Sequence, residues 1–472
     1  MRRPTTTPRG AGDARTAREQ ASRRGRAGFP PADGGTRVEP RAARAGTSRA
    51  AALLLGAVAA TALGCSYEAH LATSLDDAGA PDASASPDAG VPSAGAVILA
   101  LAFVDLDDDG RDDLAVLDVV ADRATPTLRA RVRVAYGTAI VPSVLEAVDR
   151  TWLGAAFPSR VERDGRSVPV RVAGGLAPGD LDGDGIADLA VGLGFDDGGA
   201  VRVLHGSATR GGDGALDASP GIVRADGGGF GHRVAFAGDL AGDGRPELAV
   251  RDVEGSRTWW IEPPRAGEVR VAASDAVGGG AVASVGDVDE DGRPDLAVLA
   301  ADAVEVHLGP TAPNALATSL PDVRVPGENG SDAPTFVAGS RVEDAPALVT
   351  LWRRSGDDDA LRVVVLEPDG PRVAASRDLP GTGCTASVAL GAVLVGCPTA
   401  GCRDGACGGV VESHPRLDTL GSPRRWHGEP VGPSGDALGG AVALGDFDGD
   451  GRADAAFSGR GGAVRLVSDD VP

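Results

Sequence analysis

The sequence contains no lysine, so all 46 basic residues are arginine, and only 3% of its residues are aromatic. The scarcity of aromatic side chains counts against a lectin, in which an exposed aromatic ring would recur in each structural unit. No amphipathic helical pattern of useful length occurs, whereas 70 glycines and 33 prolines indicate frequent turns. The sequence therefore excludes a largely helical protein and favours short strands joined by turns.

Sequence motifs of the common catalytic sites are missing as well. The chain has no G-x-S-x-G elbow, no H-E-x-x-H pair and no Walker loop. Its six histidines are scattered, and we interpret each as a surface or strand residue rather than a catalytic base. The adjacent residues Trp259 and Trp260 are interpreted as packing between structural units, with a sugar-stacking platform as the alternative. These observations favour a protein without catalytic activity.

The charge of the chain is unevenly distributed. The net charge is −21, yet the first fifty residues hold 12 arginines against 4 acidic residues. The rest of the chain is therefore more acidic than the total suggests. Because contacts to phosphates need a basic surface, this balance argues against a nucleic-acid partner.

Acidic loops of one pattern account for much of this charge. Residues 287–296 read D-V-D-E-D-G-R-P-D-L, with carboxylates at the first, third, fifth and ninth positions. Calcium prefers oxygen ligands, and alternate side chains of a tight loop can point inward together. Gly292 permits the sharp turn, and the backbone carbonyl of Arg293 can add a further oxygen. Without a cation, the neighbouring carboxylates would repel one another and raise one another's pKa.

The pattern occurs five times, each time before a short apolar run. One copy alone could be a simple turn in an acidic protein, because Asp-Gly pairs favour turns. Recurrence in one frame favours calcium binding instead. In the third copy Ala241 replaces a carboxylate, so we expect weaker binding there. The predicted calcium ligands, including the seventh-position residues that offer backbone carbonyls, are Asp105, Asp107, Asp109, Arg111, Asp113, Asp180, Asp182, Asp184, Ile186, Asp188, Asp239, Asp243, Arg245, Glu247, Asp287, Asp289, Asp291, Arg293, Asp295, Asp446, Asp448, Asp450, Arg452 and Asp454.

Residues 1–64 are predicted to be a signal region. Residues 1–49 are rich in arginine, glycine and proline, and the apolar run 50–64 has the length of a signal-peptide core. A translation start assigned too far upstream would explain the long charged stretch. The run ends in A-L-G-C, which resembles a bacterial lipobox, although Leu63 lies one residue later than in the usual pattern. We expect Cys65 to carry lipid at the mature N-terminus; a membrane-buried structural cysteine is the alternative.

Residues 65–96 are predicted to form a flexible linker behind this anchor. A segment rich in Asp, Ala, Ser, Pro and Gly cannot bury enough apolar surface to offset the entropy of the chain. Such a tether would hold a folded body away from the membrane. We therefore expect export across the inner membrane and attachment in the cell envelope, at the outer membrane or cell surface, with the lipid anchor as the membrane contact.

Residues 97–472 are predicted to form an all-β domain of seven repeats. Short β-branched runs alternate with turns, and successive acidic loops start 75, 59, 48 and 159 residues apart. The last interval accommodates two further repeats without acidic loops, which we place at Phe336 and Thr385. Seven units of several strands each predict a β-propeller.

The repeats resemble the FG-GAP repeat, also described as the VCBS repeat, of integrin α-chain propellers and related bacterial proteins. The resemblance lies in residues 230–250, in G-G-G-A-V-A-S-V-G-D-V-D-E-D-G-R-P-D-L-A-V ending at Val298, and in G-G-A-V-A-L-G-D-F-D-G-D-G-R-A-D ending at Asp454. It covers roughly residues 97–472. It implies a seven-bladed propeller with calcium between the first two strands of a blade and ligands on the opposite face. The identity of the ligand is not implied.

Four cysteines lie close together, at Cys384, Cys397, Cys402 and Cys407. No C-x-x-C pair occurs, and an exported chain favours disulfides over the competing zinc site. Cys384 and Cys397 lie symmetrically about residues 390–391, the predicted turn of the sixth repeat, so they should face each other across a hairpin. We therefore predict the disulfides Cys384–Cys397 and Cys402–Cys407.

The function predicted from the sequence is that of a calcium-binding lipoprotein of the cell envelope. Its propeller would serve as a binding or adhesion module for a protein or glycan ligand, without catalysis. A propeller-based lyase or hydrolase is one alternative, and a carbohydrate-binding lectin is another.

Overall fold

Short runs of valine, leucine and alanine form strands along the whole described chain. The computed structural model describes residues 96–468 except 123–124, 146–147, 164–165, 196–197, 226–228, 241, 253–256, 273–276, 279–281, 310–320, 329–331, 355–357, 404–405, 430–436 and 460–461. The predicted signal region, Cys65, residues 65–95 of the predicted linker and Ala241 lie outside the described residues. Among the described residues, no helix has the length and apolar character needed to cross a bilayer.

Antiparallel sheets recur along the first half of the described chain. The first sheet and the hairpin after it contain β1 (Ala96–Val104), β2 (Asp113–Ala121), β3 (Thr127–Ala135), β4 (Arg150–Pro158), β5 (Arg160–Arg163) and β6 (Arg166–Pro169). The second region contains β7 (Val172–Gly179), β8 (Asp188–Phe195), β9 (Gly198–Leu204), β10 (Gly214–Ala215), a 3-10 helix (Leu216–Ala218) and β11 (Gly221–Ala225). The third contains β12 (Arg233–Gly238), β13 (Glu247–Arg251), β14 (Arg257–Ile261), β15 (Gly267–Val271) and β16 (Val277–Gly278).

The second half continues in the same way. The fourth sheet contains β17 (Val282–Gly286), β18 (Asp295–Leu299), β19 (Ala303–His307) and β20 (Val323–Pro326). The fifth contains β21 (Ala333–Val342), β22 (Ala345–Arg353), β23 (Asp359–Glu367) and β24 (Gly370–Asp378). The sixth region contains β25 (Thr385–Ala389), β26 (Ala392–Cys397), β27 (Cys402–Arg403), β28 (Ala406–Cys407), β29 (Val410–His414) and β30 (Arg424–His427). The seventh contains β31 (Val442–Gly445), β32 (Asp454–Ser458) and β33 (Val464–Val467).

Seven sheets built in this way form a closed ring. The first strand of each sheet contacts the first strands of both neighbouring sheets, in the order β1, β7, β12, β17, β21, β25, β31 and back to β1. A closed cycle of seven antiparallel sheets around their first strands is a seven-bladed β-propeller, which confirms the predicted fold class. Blades 5 and 6 are the two repeats expected without acidic loops, since their first strands contain Phe336 and begin at Thr385.

Apolar side chains fill the space between neighbouring blades. Leu117 of β2 and Leu189 of β8 are fully buried in the core that blades 1 and 2 share. Near the axis the first strands lie very close, and a Cβ on Gly339 would come 1.8 Å from the carbonyl oxygen of Val285 in the preceding blade. Glycine is therefore required at this position. With the first strands packed around the axis, all the turns that follow them emerge at one end of the ring.

The tryptophan pair of blade 3 lies in two such cores. Trp259 is buried between blades 2 and 3, where its ring packs edge-on against Phe230 at 5.1 Å. Trp260 is partly buried against a smaller core cluster that contains Leu296 of blade 4. Packing between blades, rather than an exposed sugar platform, is therefore the role of this pair.

The ring closes where blade 1 meets blade 7. Blade 7 has three described strands, and residues 143–145, in the connection between β3 and β4, lie along the outer edge of β33. The Leu145 N–H donates to the Val464 carbonyl at 3.0 Å, and the Leu466 N–H donates to the Ser143 carbonyl at 3.3 Å. The same connection in blades 2 and 3 also reaches the preceding blade, through the parallel pairs β10–β4 and β15–β11. Residues 143–145 thus take the place of a fourth strand in blade 7.

Both predicted disulfides are present in blade 6. Cys384 precedes β25 and Cys397 ends β26, so the bridge joins facing positions of a hairpin, with Cα atoms 4.2 Å apart. Cys402 and Cys407 pair across the small hairpin β27–β28, with Cα atoms 3.9 Å apart. In the chain-entropy account, closing loops of these lengths contributes roughly 2–3 kcal/mol each.

Candidate metal centres

Each acidic loop joins the first and second strands of its blade. The loops follow β1, β7, β12, β17 and β31, and we name them the blade-1, blade-2, blade-3, blade-4 and blade-7 loops. Blades 5 and 6 have tight turns at this place, with positive φ at Glu343, Asp344, Leu390 and Gly391. The loops all lie at one end of the ring, which we name the loop end. The hairpins β5–β6 and β27–β28 lie at the other end, which we name the opposite end.

The first-position carboxylate of each loop accepts backbone N–H groups from later residues of the same loop. In the blade-1 loop, Asp105 accepts the N–H groups of Asp109 at 3.1 Å and Gly110 at 2.9 Å. The sixth-position glycine has a φ near +84°, a left-handed conformation that a side chain would oppose. The equivalent bonds from the sixth residue, Gly185, Gly244, Gly292 and Gly451, go to Asp180, Asp239, Asp287 and Asp446 at 2.7–3.0 Å. The five sequences therefore adopt one backbone conformation.

The fifth-position carboxylate caps the second half of the loop. In every loop its Oδ1 accepts the N–H of the seventh residue, at 2.8–3.0 Å, in the pairs Asp109–Arg111, Asp184–Ile186, Asp243–Arg245, Asp291–Arg293 and Asp450–Arg452. These bonds hold the seventh residue in the loop, where its carbonyl was expected to serve as a ligand. They leave the second oxygen of each fifth-position carboxylate for another partner.

The ninth-position carboxylate begins the second strand and is buried in all five loops. One of its oxygens accepts the N–H of the second loop residue, at 2.6–2.9 Å, in the pairs Asp113–Leu106, Asp188–Leu181, Glu247–Leu240, Asp295–Val288 and Asp454–Phe447. In three loops the other oxygen accepts the N–H of a glycine after the third strand, namely Gly137, Gly206 and Gly309. This side chain therefore ties the loop to the third strand of its own blade.

The structure brings the predicted ligands together in several of the loops. Sets of three carboxylates have oxygen atoms within 4.8 Å of one another, namely Asp105, Asp107 and Asp113; Asp180, Asp182 and Asp184; Asp239, Asp243 and Glu247; and Asp287, Asp289 and Asp291. In the blade-7 loop, Asp446 accepts the Gly451 N–H and Asp450 accepts the Arg452 N–H, as their counterparts do. The identity of a bound cation does not follow from these clusters alone.

Two orphaned oxygens test whether a cation fits these loops. Asp107 Oδ1 and Asp446 Oδ1 are shielded from solvent and have no hydrogen-bond partner among the described residues. A buried carboxylate oxygen without a partner is costly, so a ligand at this place would stabilise it. Asp107 clusters with the carboxylates of Asp105 and Asp113, and Asp446 lies near enough to Asp454 to raise its pKa; carboxylate oxygens suit a hard divalent cation. The residues present therefore fit calcium.

The electrostatics of the loops lead to the same conclusion. Burial, together with repulsion from Asp107 and Asp105, raises the pKa of Asp113 to about 8 despite hydrogen bonds that lower it. Burial likewise raises the pKa of Asp454 to about 7 and that of Asp295 to about 6. Without a cation, the pKa of each of these carboxyls therefore lies well above that of an exposed aspartate. A bound cation would stabilise their charged form.

An arginine that the sequence did not single out reaches the blade-1 loop. Arg210, in the connection after β9 of blade 2, pairs through Nε with Asp107 and through Nη2 with Asp109 at 3.1 Å. Its guanidinium also lies 4.4 Å from the ring centre of Tyr136. Arg210 uses Oδ2 of both carboxylates and leaves the buried Oδ1 of Asp107 without a hydrogen-bond partner among the described residues.

A histidine reaches the blade-2 loop in a similar way. His205 directly follows β9, and its Nδ1 lies 3.3 Å from Asp188 Oδ1 and 3.6 Å from Asp182 Oδ2. The Asp188 carboxylate raises the pKa of His205 to about 8, although partial burial opposes this. The sequence indicated a surface or strand residue here, and the contact of His205 with this loop was not predicted from it. The glycine that follows the third strand, at Gly137, Gly206 and Gly309, marks the place and could have located it.

Comparisons with known proteins give distant structural likenesses alone. No protein-family model and no curated protein sequence matches the chain. Among solved structures it is similar to BBS1N in complex with ARL6DN, with a TM-score of 0.39, 14% identity, and 81% of this chain and 94% of that chain covered. It is also similar to rhamnogalacturonan lyase YesW, with a TM-score of 0.20, 13% identity, and 76% of this chain and 64% of that chain covered. Likenesses this distant bear on neither substrate nor partner.

Proposed function

We propose that the chain is a calcium-binding, lipid-anchored protein of the cell envelope whose propeller serves as a non-catalytic binding or adhesion module. The repeated acidic loops carry this proposal, because their donors are carboxylates and because Asp107 and Asp446 each have an orphaned, buried oxygen. A catalytic metal would normally occur once, whereas these loops recur from blade to blade. Calcium in such loops would stabilise the structure rather than take part in a reaction.

The predicted ligand sets would hold the cation in each blade. In the blade-4 loop these are Asp287, Asp289, Asp291 and Asp295 with the carbonyl of Arg293, and the blade-1, blade-2 and blade-7 loops supply their equivalents. The blade-3 loop offers Asp239, Asp243 and Glu247 with the carbonyl of Arg245. Bound calcium would neutralise the crowded carboxylates and fix each loop against its own third strand.

We assign ligand binding to the opposite end of the ring. The β5–β6 hairpin projects there from blade 1, and the β27–β28 hairpin of blade 6 is closed there by the Cys402–Cys407 disulfide. Loops at one end of a rigid scaffold are the usual place for recognition. Occupied calcium loops at the loop end would leave this end free for a protein or glycan partner.

Binding arrays test the proposed module directly. The purified chain, applied with calcium to glycan and protein arrays, is expected to bind a restricted set of ligands. Mass spectrometry of each bound ligand after prolonged incubation should show an unchanged mass. A shortened or unsaturated glycan would indicate a lyase or hydrolase instead, and the absence of binding on both arrays would contradict the adhesion role.

The anchor has a separate test at Cys65. The apolar run before this residue, Gly64 at the cleavage position and the linker behind it support lipidation. Mass spectrometry of the protein isolated from membranes should find Cys65 as the N-terminal residue with acyl chains attached. A Cys65→Ala variant should remain uncleaved or be released from the membrane. A mature chain that begins at another residue would remove the anchor from the proposal.

A further inference from the structure

The blade-2 loop has a nitrogen donor at a place where other loops have none. His205 lies between β9 and Gly206, whose N–H binds the ninth-position carboxylate of the loop. The same place is occupied by Tyr136 in blade 1 and by Leu308 in blade 4. The imidazole therefore distinguishes the blade-2 loop chemically from loops that share its backbone.

The imidazole points its Nδ1 at two carboxylates. Nδ1 lies 3.3 Å from Asp188 Oδ1 and 3.6 Å from Asp182 Oδ2, and Asp188 is 1% exposed. The Nδ1 atom is shielded from solvent and lacks the alignment of a hydrogen bond to either carboxylate. Asp188 Oδ1 accepts one N–H, from Gly206, and keeps a further lone pair.

A contact from blade 3 sets the tautomer of this imidazole. His205 Nε2 lies 3.2 Å from the carbonyl oxygen of Arg265. A carbonyl can only accept, so Nε2 carries the hydrogen, and the neutral imidazole then has its lone pair on Nδ1. That lone pair faces two carboxylates, an arrangement that is repulsive unless a proton or a metal ion lies between them.

We propose that a first-row transition-metal cation of the Zn²⁺ class binds between His205 Nδ1, Asp182 and Asp188. Two ligands at about 2.1 Å from a tetrahedral ion lie about 3.4 Å apart, which matches the measured separations. Calcium prefers oxygen ligands, whereas imidazole with carboxylates suits zinc and its neighbours. The inference deepens the proposed metal-binding function for one loop, and it rests on the metal chemistry of that loop but not on calcium in the others.

Zinc and calcium would compete for the blade-2 loop because their ligand sets share a residue. Asp182 belongs both to this set and to the carboxylate set of Asp180 and Asp184. Zinc at His205 therefore excludes full calcium coordination in the blade-2 loop, while the blade-4 loop remains a calcium site. Which cation occupies the blade-2 loop would then depend on the concentration of transition metal around the protein.

Calorimetric titration with Zn²⁺ alone tests the assignment. The full chain, first freed of metal, is titrated as wild type and as His205→Leu, which installs the side chain that blade 4 has at this place. The wild type should bind one Zn²⁺ that His205→Leu binds roughly 10- to 100-fold more weakly. With Co²⁺ as the probe, the visible absorption of the wild type should be lost in His205→Leu.

The reciprocal variant Leu308→His provides a control that does not depend on the folding of His205→Leu. It places an imidazole beside Asp295 in blade 4 and should create a second Zn²⁺ site. Equal Zn²⁺ affinity of wild type and His205→Leu would overturn the proposal, as would a wild type that binds no Zn²⁺, in which case His205 and Asp188 form an ion pair. Zinc binding without calcium binding would leave this inference standing while removing calcium from the proposed function.

Discussion

Chelation of calcium is expected to lower the free energy of unfolding by roughly 6–11 kcal/mol, relative to a solution with about 10 mM calcium. The figure assumes four full loops and dissociation constants on the order of 10⁻⁴–10⁻³ M, the range of extracellular modules. A ligand that binds only the folded state stabilises it in this way. Differential scanning calorimetry with and without chelator measures the effect. Added calcium should restore the melting temperature better than magnesium, which tolerates this geometry less well.

Two matched variants distinguish the stability contributed by the bound cation from that contributed by the hydrogen bonds within the turn. Asp287 and Asp239 each accept two backbone N–H groups in the same way, from the fifth and sixth loop residues. When a chelator has removed calcium, Asp287→Ala and Asp239→Ala should therefore lower the free energy of unfolding by the same amount. In calcium Asp287→Ala should cost more, because the blade-3 loop lacks a third-position carboxylate in the sequence. Melting curves that do not respond to calcium would contradict the calcium assignment for all of the loops.

Glu412→Gln is expected to lower the free energy of unfolding by roughly 3–5 kcal/mol at neutral pH, because it breaks a buried charged network. Glu412 is buried in β29 and binds Arg377 Nε of blade 5 at 3.0 Å and Arg425 Nε at 2.7 Å. His414 Nε2 lies 3.4 Å from the same carboxylate. A neutral amide would leave two guanidinium groups without their anion. Urea denaturation of wild type and variant gives the difference.

The pH dependence identifies the charge as the cause. Burial alone would raise the pKa of Glu412, but His414, Arg377 and Arg425 outweigh it and lower the pKa to about 2. Because the folded-state pKa lies below the unfolded value, the contribution is fully present above about pH 4.5 and is lost as the pH falls towards 2. It amounts to roughly 3 kcal/mol. The difference in the free energy of unfolding between wild type and Glu412→Gln should therefore shrink as the pH falls through this range.

Blade 4 supplies a matched control for this network. Glu305 precedes His307 by two residues on β19, as Glu412 precedes His414 on β29, and it too faces an arginine on the next strand. Glu305 is itself 27% exposed, whereas Glu412 is 1% exposed, so Glu305→Gln should cost only about 0–1 kcal/mol. An equal cost for both variants would mean that the arginine from blade 5 adds nothing.

The repeat structure could be predicted because each repeat contains its own pattern. A first strand, an acidic loop and an apolar second strand lie together in the sequence, so even the blades at Phe336 and Thr385 were recognisable without their loops. The hairpin of blade 6 places Cys384 opposite Cys397 by local register alone. Features set by neighbouring residues, including the five loop backbones, therefore follow from the sequence.

Contacts between blades could not be predicted in this way. Arg210 meets Asp107 across 103 residues, and Arg377 meets Glu412 across 35. Arg210 lies in a connection after a third strand, and these connections vary in length from blade to blade. Glu412 is also a charged residue type that is rarely fully buried, so its burial is not expected from the sequence. Which arginine approaches which carboxylate depends on how adjacent blades pack.

The closure at residues 143–145 makes the two ends of the propeller sequence depend on each other during folding. An open array of repeats makes only neighbouring contacts, so its units can fold or unravel one at a time. Here Arg111 Nε binds the Asp448 carbonyl across 337 residues, and Asp446 N–H binds Asp112 across 334. Such distant pairings raise the contact order and slow folding. Blade 1 can therefore complete its contacts only after the last repeat has emerged.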